Sequence, residues 1–388
     1  MDRPGTTALS PVEFISTDPT EDQPEEGIAL CLSGGGYRAM LFHLGALWRL
    51  NETGYLPQLK RVSSVSGGSI TAGVLGLAWP KLDFDDRGVA RRFKEQVVAP
   101  LRRLAGQTID VPAVLSNLVV PGSASRRIAS AYRRYVFGDC SLQALPADDQ
   151  GPRFVINAAN LQSTALWRFS RPYMWDYRVG KIENPTVPLA IAVAASSAAP
   201  PMLSPVVLQF KPADYVPASG LDLQLPPYNT QVYLTDGGVY DNLGLETAWK
   251  RYRTILVSDG GGQSGATPNP HRDWLRGTAR VIGVIDNQVR DLRKRQVISS
   301  YRAGARAGAY WGIRSHIADY GLEETLPCPP QRTLALANVP TRLSAMTQGR
   351  QEELINWGYA ICDAALRKHV NQALACPADF PYRSVGVG

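Results

Sequence analysis

The sequence is poor in three things that would narrow its chemistry at once: cysteine, histidine and long apolar runs. Five cysteines (Cys31, Cys140, Cys328, Cys362 and Cys376) are scattered, odd in number and free of CxxC spacing. That pattern argues against a disulfide framework or a zinc site and points to a reducing compartment. The four histidines are His43, His271, His316 and His369, and none sits in an elbow-type loop following an acid. His271 and His316 stay open as candidates on chain order alone, whereas His43 falls in an apolar helix and reads as a packed residue. The most apolar window, Val187 to Leu203, is broken by Pro188, Ser196, Ser197, Pro200 and Pro201. No membrane span is therefore expected, and contact with a membrane would be peripheral. The N-terminus lacks the basic-then-apolar pattern of a cleaved secretion signal. No helix–turn–helix, zinc or aromatic-stacking signature supports nucleic-acid binding. The expected setting is cytoplasmic or peripheral to a membrane, with no cofactor and no metal.

Charge is uneven along the 388 residues. Of the net +7, residues 1–26 contribute −6 (seven acids against Arg3), which leaves +13 on the rest. The first segment reads as a flexible acidic leader and the body as a basic surface suited to anionic partners, whether lipid headgroups or nucleic acid. Order is expected from GIALCLS (27–33), a strand that runs into three glycines. A buried helix follows over 37–50, then a strand LKRVSSV (59–65) and a helix of small residues over 70–79. Strand–turn–helix repeated in this way predicts an α/β protein with parallel strands and helical crossovers. Residues 81–150 read as helical and basic. Further strands are predicted at 154–160, 165–170, 206–210, 232–236 and 254–259, and mainly helical structure beyond about 268. The last helix places Leu354, Trp357 and Ile361 on one face. The proline-rich segment 211–230 is long enough for a functional loop and is the expected lid. The basic stretches 91–103 and 290–306 could approach anionic headgroups, although each alone reads more simply as a solvated face.

Three turns could carry chemistry. In SGGGYRA (33–39), Gly34, Gly36 and Ala39 fit the G-x-G-x-x-G/A pattern between a strand and a helix. Bare N–H groups at a helix start suit either a dinucleotide pyrophosphate or an oxyanion, and Arg38 adds positive charge beside them. In VSSVSGGS (62–69), Ser66 alone of four serines stands between a strand and a helix with small neighbours, as a nucleophile elbow requires. In TDGGVYDNLG (235–244), Asp236 is set at a strand end by two glycines, though Asp-Gly pairs also mark ordinary turns. Asp241, expected to cap a helix near Asn242, and Asp259 in SDGGG (258–262) compete with it as a base.

Taken together, in this order, the three turns resemble the patatin-like phospholipase family. Its signatures are an oxyanion glycine loop, a G-x-S-x-G nucleophile and a D-G-[GA] aspartate. The likeness covers about residues 27–262 and extends to APPMLSP (199–205). It implies a three-layer α/β sandwich with a mainly parallel central sheet and helices on both faces, plus a mainly helical C-terminal extension. The implied layout is a leader over 1–26, a catalytic domain over 27–265, and a helical region over 266–388 packed on it. Ser66 is then the nucleophile, Asp236 its partner in a dyad without histidine, and Gly34, Gly35 and Gly36 the oxyanion loop with Arg38 beside it. Two positions depart from the family pattern: Ala39 replaces the last loop glycine, and Ser64 replaces the first glycine of the elbow. The implied activity is lipid acyl hydrolysis on a lipid or ester substrate, with peripheral contact to an anionic membrane. The alternatives are a non-catalytic lipid-binding protein of the same fold and a dinucleotide-binding α/β enzyme. For the latter, Glu52, the nearby acid after the first helix, comes too early for the usual ribose contact.

Overall fold

A computed structural model describes residues 24–110, 123–200, 203–263, 265–270 and 273–388. The expected leader lies outside the described residues up to position 23. Glu25 and Glu26, expected within that leader, open the first strand instead and pair with Arg251 and Arg253.

Among the described residues, ten strands form one sheet: β1 (Glu25–Leu32), β2 (Leu59–Val65), β3 (Arg153–Asn160), β4 (Leu166–Phe169), β5 (Tyr173–Asp176), β6 (Gly180–Glu183), β7 (Val206–Gln209), β8 (Gln231–Asp236), β9 (Tyr252–Asp259) and β10 (Ala307–Gly312). The order β10-β9-β1-β2-β3 is parallel throughout, as the strand–turn–helix pattern predicts. Beyond β3 the sheet turns antiparallel, with β4, β5 and β6 on one side and β8 and β7 on the other.

Helices cover both faces. In β1, Leu30 and Leu32 point into the larger core and Ala29 and Cys31 into a smaller one, the period-two alternation of a strand buried on both sides. On the larger face lie α1 (Gly36–Glu52), α2 (Gly67–Ala78), the helix Leu189–Ser196 and the last helix (Gln348–His369). On the other face lie the short helix Glu246–Trp249 and the long helix Trp274–Arg302. The first helix is buried from Gly36 to Asn51, which explains why its sequence is apolar nearly all round. It crosses the last helix at backbone contact. A Cβ on Gly45 would lie 1.9 Å from the Ile355 carbonyl, and one on Gly358 would lie 1.9 Å from that of Phe42. Arg49 on α1 and Asp363 on the last helix add a buried ion pair, with Arg367 as a second cation on the same carboxylate.

The feature that builds the site is a seam along one edge of β3. Residues 153–157 of β3 pair with β2, which ends at Val65 opposite Asn157. The next residue, Ala158, pairs with Asp236 at the end of β8, which runs the other way. β4 occupies the opposite edge. Two strands therefore meet C-terminus to C-terminus on β3, and the residues that end them are brought together from 170 positions apart.

Candidate active site

Ser66 sits at that seam in a backbone conformation of φ 51° and ψ −118°, between β2 and the first turn of α2. A non-glycine residue there is strained, of the order of ~1–3 kcal/mol, and persists only where its surroundings enforce it. The enforcement is visible. The Ser66 N–H donates to Ser196 Oγ (2.9 Å), and Ser196 Oγ in turn donates to the Asn157 carbonyl (2.6 Å). A Cβ on Gly67 would meet the Gly36 carbonyl at 2.2 Å, so the elbow and the glycine loop touch through backbone alone. The other serines of the stretch are structural. Ser63 receives hydrogen bonds from Asn157 and Thr247, and Ser69 donates to Ser64. Ser64, which stands where the elbow pattern has glycine, is buried and also reaches the Val155 carbonyl (3.3 Å).

Asp236 faces Ser66 across the seam. Its carboxylate accepts from the Gly238 N–H (2.7 Å), and the Ser66 hydroxyl lies beside it. Its backbone is tied to the end of the helix Leu189–Ser196 through Asp236 N–H to Ala198 O (3.1 Å). Burial raises its pKa from 3.8 to about 6, against the opposing pull of the Gly238 N–H and the Ser66 hydroxyl. The two rival acids are engaged elsewhere. Asp241 is buried and accepts from the N–H groups of Leu243 and Glu246, so it caps the turn that opens at Glu246 rather than one near Asn242. Burial pushes Asp259 up, but Lys294, Arg290, the Tyr310 hydroxyl and the Gly261 N–H hold it well below the carboxylate range.

The glycine loop crosses over Ser66, with Gly35 at φ 142° and Gly36 at φ 60°. The Gly34 N–H is engaged by the Asn242 carbonyl (3.0 Å). The N–H groups of Gly35 and Gly36 have no acceptor among the described residues, and both residues line the cleft that holds Ser66. Arg38 is buried behind the loop, with Nε on the Gly260 carbonyl (3.2 Å), one Nη on Thr341 Oγ1 (3.0 Å) and the other on the Val339 carbonyl. Burial and the nearby guanidinium groups of Arg290 and Arg314 lower its pKa to about 10, so it stays charged at neutral pH.

The cleft has a volume of about 790 Å³, within the range of small-ligand pockets, and its apolar wall includes Leu203, Val239, Ile282, Ile285 and Leu343. The segment 211–230, expected as the lid, contributes nothing to it. That segment packs on the antiparallel rim instead, through Val216 N–H to Lys181 O, Leu221 N–H to Tyr177 O and the Arg178–Asp222 pair. The long helix Trp274–Arg302 and residues 337–343 form the wall in its place. Among the described residues, no histidine lines the cleft. His271 lies outside them. His43 bridges Ser258 Oγ (2.8 Å) and the Ser33 carbonyl (2.9 Å), and burial lowers its pKa to about 4, so it serves as a neutral brace. Asn157, Ser196 and Asn242 escaped the reading of the sequence, because each acts through contacts between distant strands and has no local signature.

The sequence model described as "Patatin-like phospholipase" matches residues 30–249, more than half of the chain. The chain belongs to the patatin-like phospholipase family. Among solved structures it is similar to human GIVD cytosolic phospholipase A2, with 13% identity and a TM-score of 0.52, over 91% of this chain and 62% of that one. It is also similar to VipD from Legionella pneumophila, with 16% identity and a TM-score of 0.36, over 89% of this chain and 67% of that one. The chain thus spans about three fifths of the human phospholipase chain. No curated protein matches the sequence. The patatin-like fold accounts for the glycine turn without a dinucleotide, since the Ser66 elbow and the backbone of Arg342 crowd that turn. Among the described residues, no helix is long and apolar enough to cross a membrane, and no cluster of acids, histidines or cysteines could hold a metal ion.

Proposed function

We propose that this patatin-like protein hydrolyses carboxylic esters of lipids through an acyl-enzyme on Ser66, with Asp236 as general base. The observation that carries the proposal is the juxtaposition itself: a serine held at a strained strand-to-helix corner, lining one cleft with a buried aspartate whose pKa rises to about 6. At neutral pH that carboxylate is ionised, yet basic enough to take a proton as the serine attacks.

In the first half-reaction, Asp236 accepts the Ser66 proton while Oγ bonds to the ester carbonyl carbon. The carbonyl oxygen becomes an oxyanion facing the N–H groups of Gly35 and Gly36, where each preorganised donor is worth roughly 3 kcal/mol. The carbon–oxygen bond to the leaving alcohol then breaks, and the alcohol takes the proton from Asp236. In the second half, Asp236 removes a proton from water, the hydroxide attacks the acyl carbon, and Ser66 leaves reprotonated. The apolar wall suits an acyl chain, and Arg38 fixes the loop that carries the donors by bracing it to residues 339–341.

The test is labelling by a fluorophosphonate probe, which needs an activated serine. Wild type should label, Ser66→Ala should not, and Asp236→Ala should label at least ~100-fold more slowly. Labelling that survives Ser66→Ala would sink the assignment. Absence of labelling in wild type, with lipid still bound, would favour a non-catalytic lipid-binding protein.

A further inference from the structure

A solvent-facing helix normally turns its charged side outward, and the long helix Trp274–Arg302 does the reverse. Trp274, Val281, Ile285 and Leu292 recur at intervals of seven, four and seven residues, which aligns them along one side of a 3.6-residue helix. They are 81%, 57%, 54% and 53% exposed, and Ile282 and Val284 beside them are 50% and 53% exposed. The opposite side carries Arg290, Arg293, Val297 and Tyr301, and it packs on the sheet. Arg293 pairs with Glu246, and the Tyr301 hydroxyl reaches the Ile255 carbonyl (2.6 Å). A contiguous apolar stripe of this kind marks an interaction surface.

We propose that this stripe is the surface by which the protein lies on an anionic lipid bilayer, presenting its cleft to the membrane. The inference rests on the proposed lipid-ester reaction, and two observations single out the occupant. First, the stripe is continuous with the cleft: Ile282 and Ile285 are exposed and also line the wall of the chamber that holds Ser66, as does the exposed Val239. A substrate leaving a bilayer would pass from the stripe to the nucleophile without crossing water. Second, the helix carries seven cations (Arg276, Arg280, Arg290, Arg293, Lys294, Arg295, Arg302) against Asp286 and Asp291, a net +5; Arg290, Arg293 and Lys294 pair with acids, while Arg276, Arg295 and Arg302 are exposed. Apolar side chains flanked by Arg276 and Arg295, both exposed, match an interfacial helix on anionic lipid. A second copy of the same +5 helix would be repelled.

The test uses the Ser66→Ala protein, so that vesicles stay intact, sedimented with phosphatidylcholine–phosphatidylglycerol vesicles. Binding is expected, and it should weaken on pure phosphatidylcholine. The triple variant Trp274→Ser, Val281→Ser, Leu292→Ser should bind at least ~10-fold more weakly. On the active background, the triple variant should turn over a water-soluble short-chain ester like wild type. As a second readout, vesicles should blue-shift the tryptophan emission, and Trp274→Phe should remove most of that shift. Unchanged binding by the triple variant overturns the proposal. So does a dimer in solution that the triple variant dissolves, because the stripe would then be a contact between copies. Fluorophosphonate labelling with stripe-independent binding fails the surface alone. No labelling, with stripe-dependent binding intact, fails the reaction alone and supports the surface.

Discussion

Replacing Asp236 by asparagine should abolish turnover and make the protein more stable. Burial raises the pKa of Asp236 from 3.8 to about 6, so the native state holds its proton more tightly than the unfolded chain does. The sign follows from linkage. The stabilising, protonated form is fully present below 3.8, and its contribution is lost as pH rises through about 6. A gap of roughly two pH units corresponds to about 3 kcal/mol at pH 7.5, and to roughly half of that at pH 5. Asparagine has nearly the same shape, keeps an oxygen for the Gly238 N–H and carries no charge to desolvate. Asp236→Asn should therefore exceed wild type in stability by up to ~3 kcal/mol at pH 7.5, with the difference about halved at pH 5. Urea unfolding at the two pH values, followed by fluorescence, measures both numbers. A variant no more stable than wild type at pH 7.5, or a difference that ignores pH, would refute the assignment of a strongly desolvated carboxylate.

The same group should set the pH dependence of catalysis: kcat/KM on a soluble ester is expected to rise on a one-proton limb centred near 6, falling to about a tenth of the plateau at pH 5. A limb near 4 would show that another carboxylate controls the reaction. Gly68→Ala should yield little folded protein, because its Cβ would lie 2.3 Å from the Leu32 carbonyl with no flexible neighbour to move. Gly358→Ala should destabilise by more than ~2 kcal/mol through the crossing with α1, read by thermal melting. Ser64→Ala should keep activity within about twofold and lose ~1 kcal/mol of stability, since its hydroxyl serves Ser69 and Val155 rather than substrate.

The parts of the fold that local sequence encodes were legible. The strand LKRVSSV ends where its glycines begin, and the helix after SGGG starts at the predicted turn, because periodicity and glycine placement act over a few residues. What the sequence concealed depends on contacts between distant segments. β10 reads AGAYWG and becomes a strand because β9 offers it a parallel edge, although its small residues carry little intrinsic preference for sheet. β5 and β6 are four-residue strands inside a stretch that looks like loop, and the segment 211–230 is drawn to them rather than to the cleft. The site's chemical groups were legible as types, whereas Asn157 and Ser196, which set the Ser66 backbone, were not.

Three aspartates share similar local wording: Asp236 and Asp259 each precede glycines at a strand end, and Asp241 sits between them. Long-range electrostatics separates them. Asp259 ends β9, where Lys294 and Arg290 from the long helix and Tyr310 from β10 surround its carboxylate, so it stays ionised and is a poor base. Asp241 is taken up by two backbone N–H groups. Asp236 ends a strand that meets β2 head-on, and there its carboxylate accepts from the Gly238 N–H with the Ser66 hydroxyl beside it. With no cation paired to it, burial is left to raise its pKa. The seam on β3 therefore does two things with one piece of topology. It delivers the carboxylate to the serine, and it leaves that carboxylate without the cations that Lys294 and Arg290 supply to Asp259. A basic residue placed at Val239, which borders Asp236 and is 56% exposed, should undo part of this separation. Val239→Lys is expected to shift the acidic limb of kcat/KM below 6 and to slow turnover at neutral pH, because a cation within about 6 Å favours the ionised form and weakens it as a base. An unmoved limb with unchanged turnover would mean that the reacting carboxylate lies elsewhere.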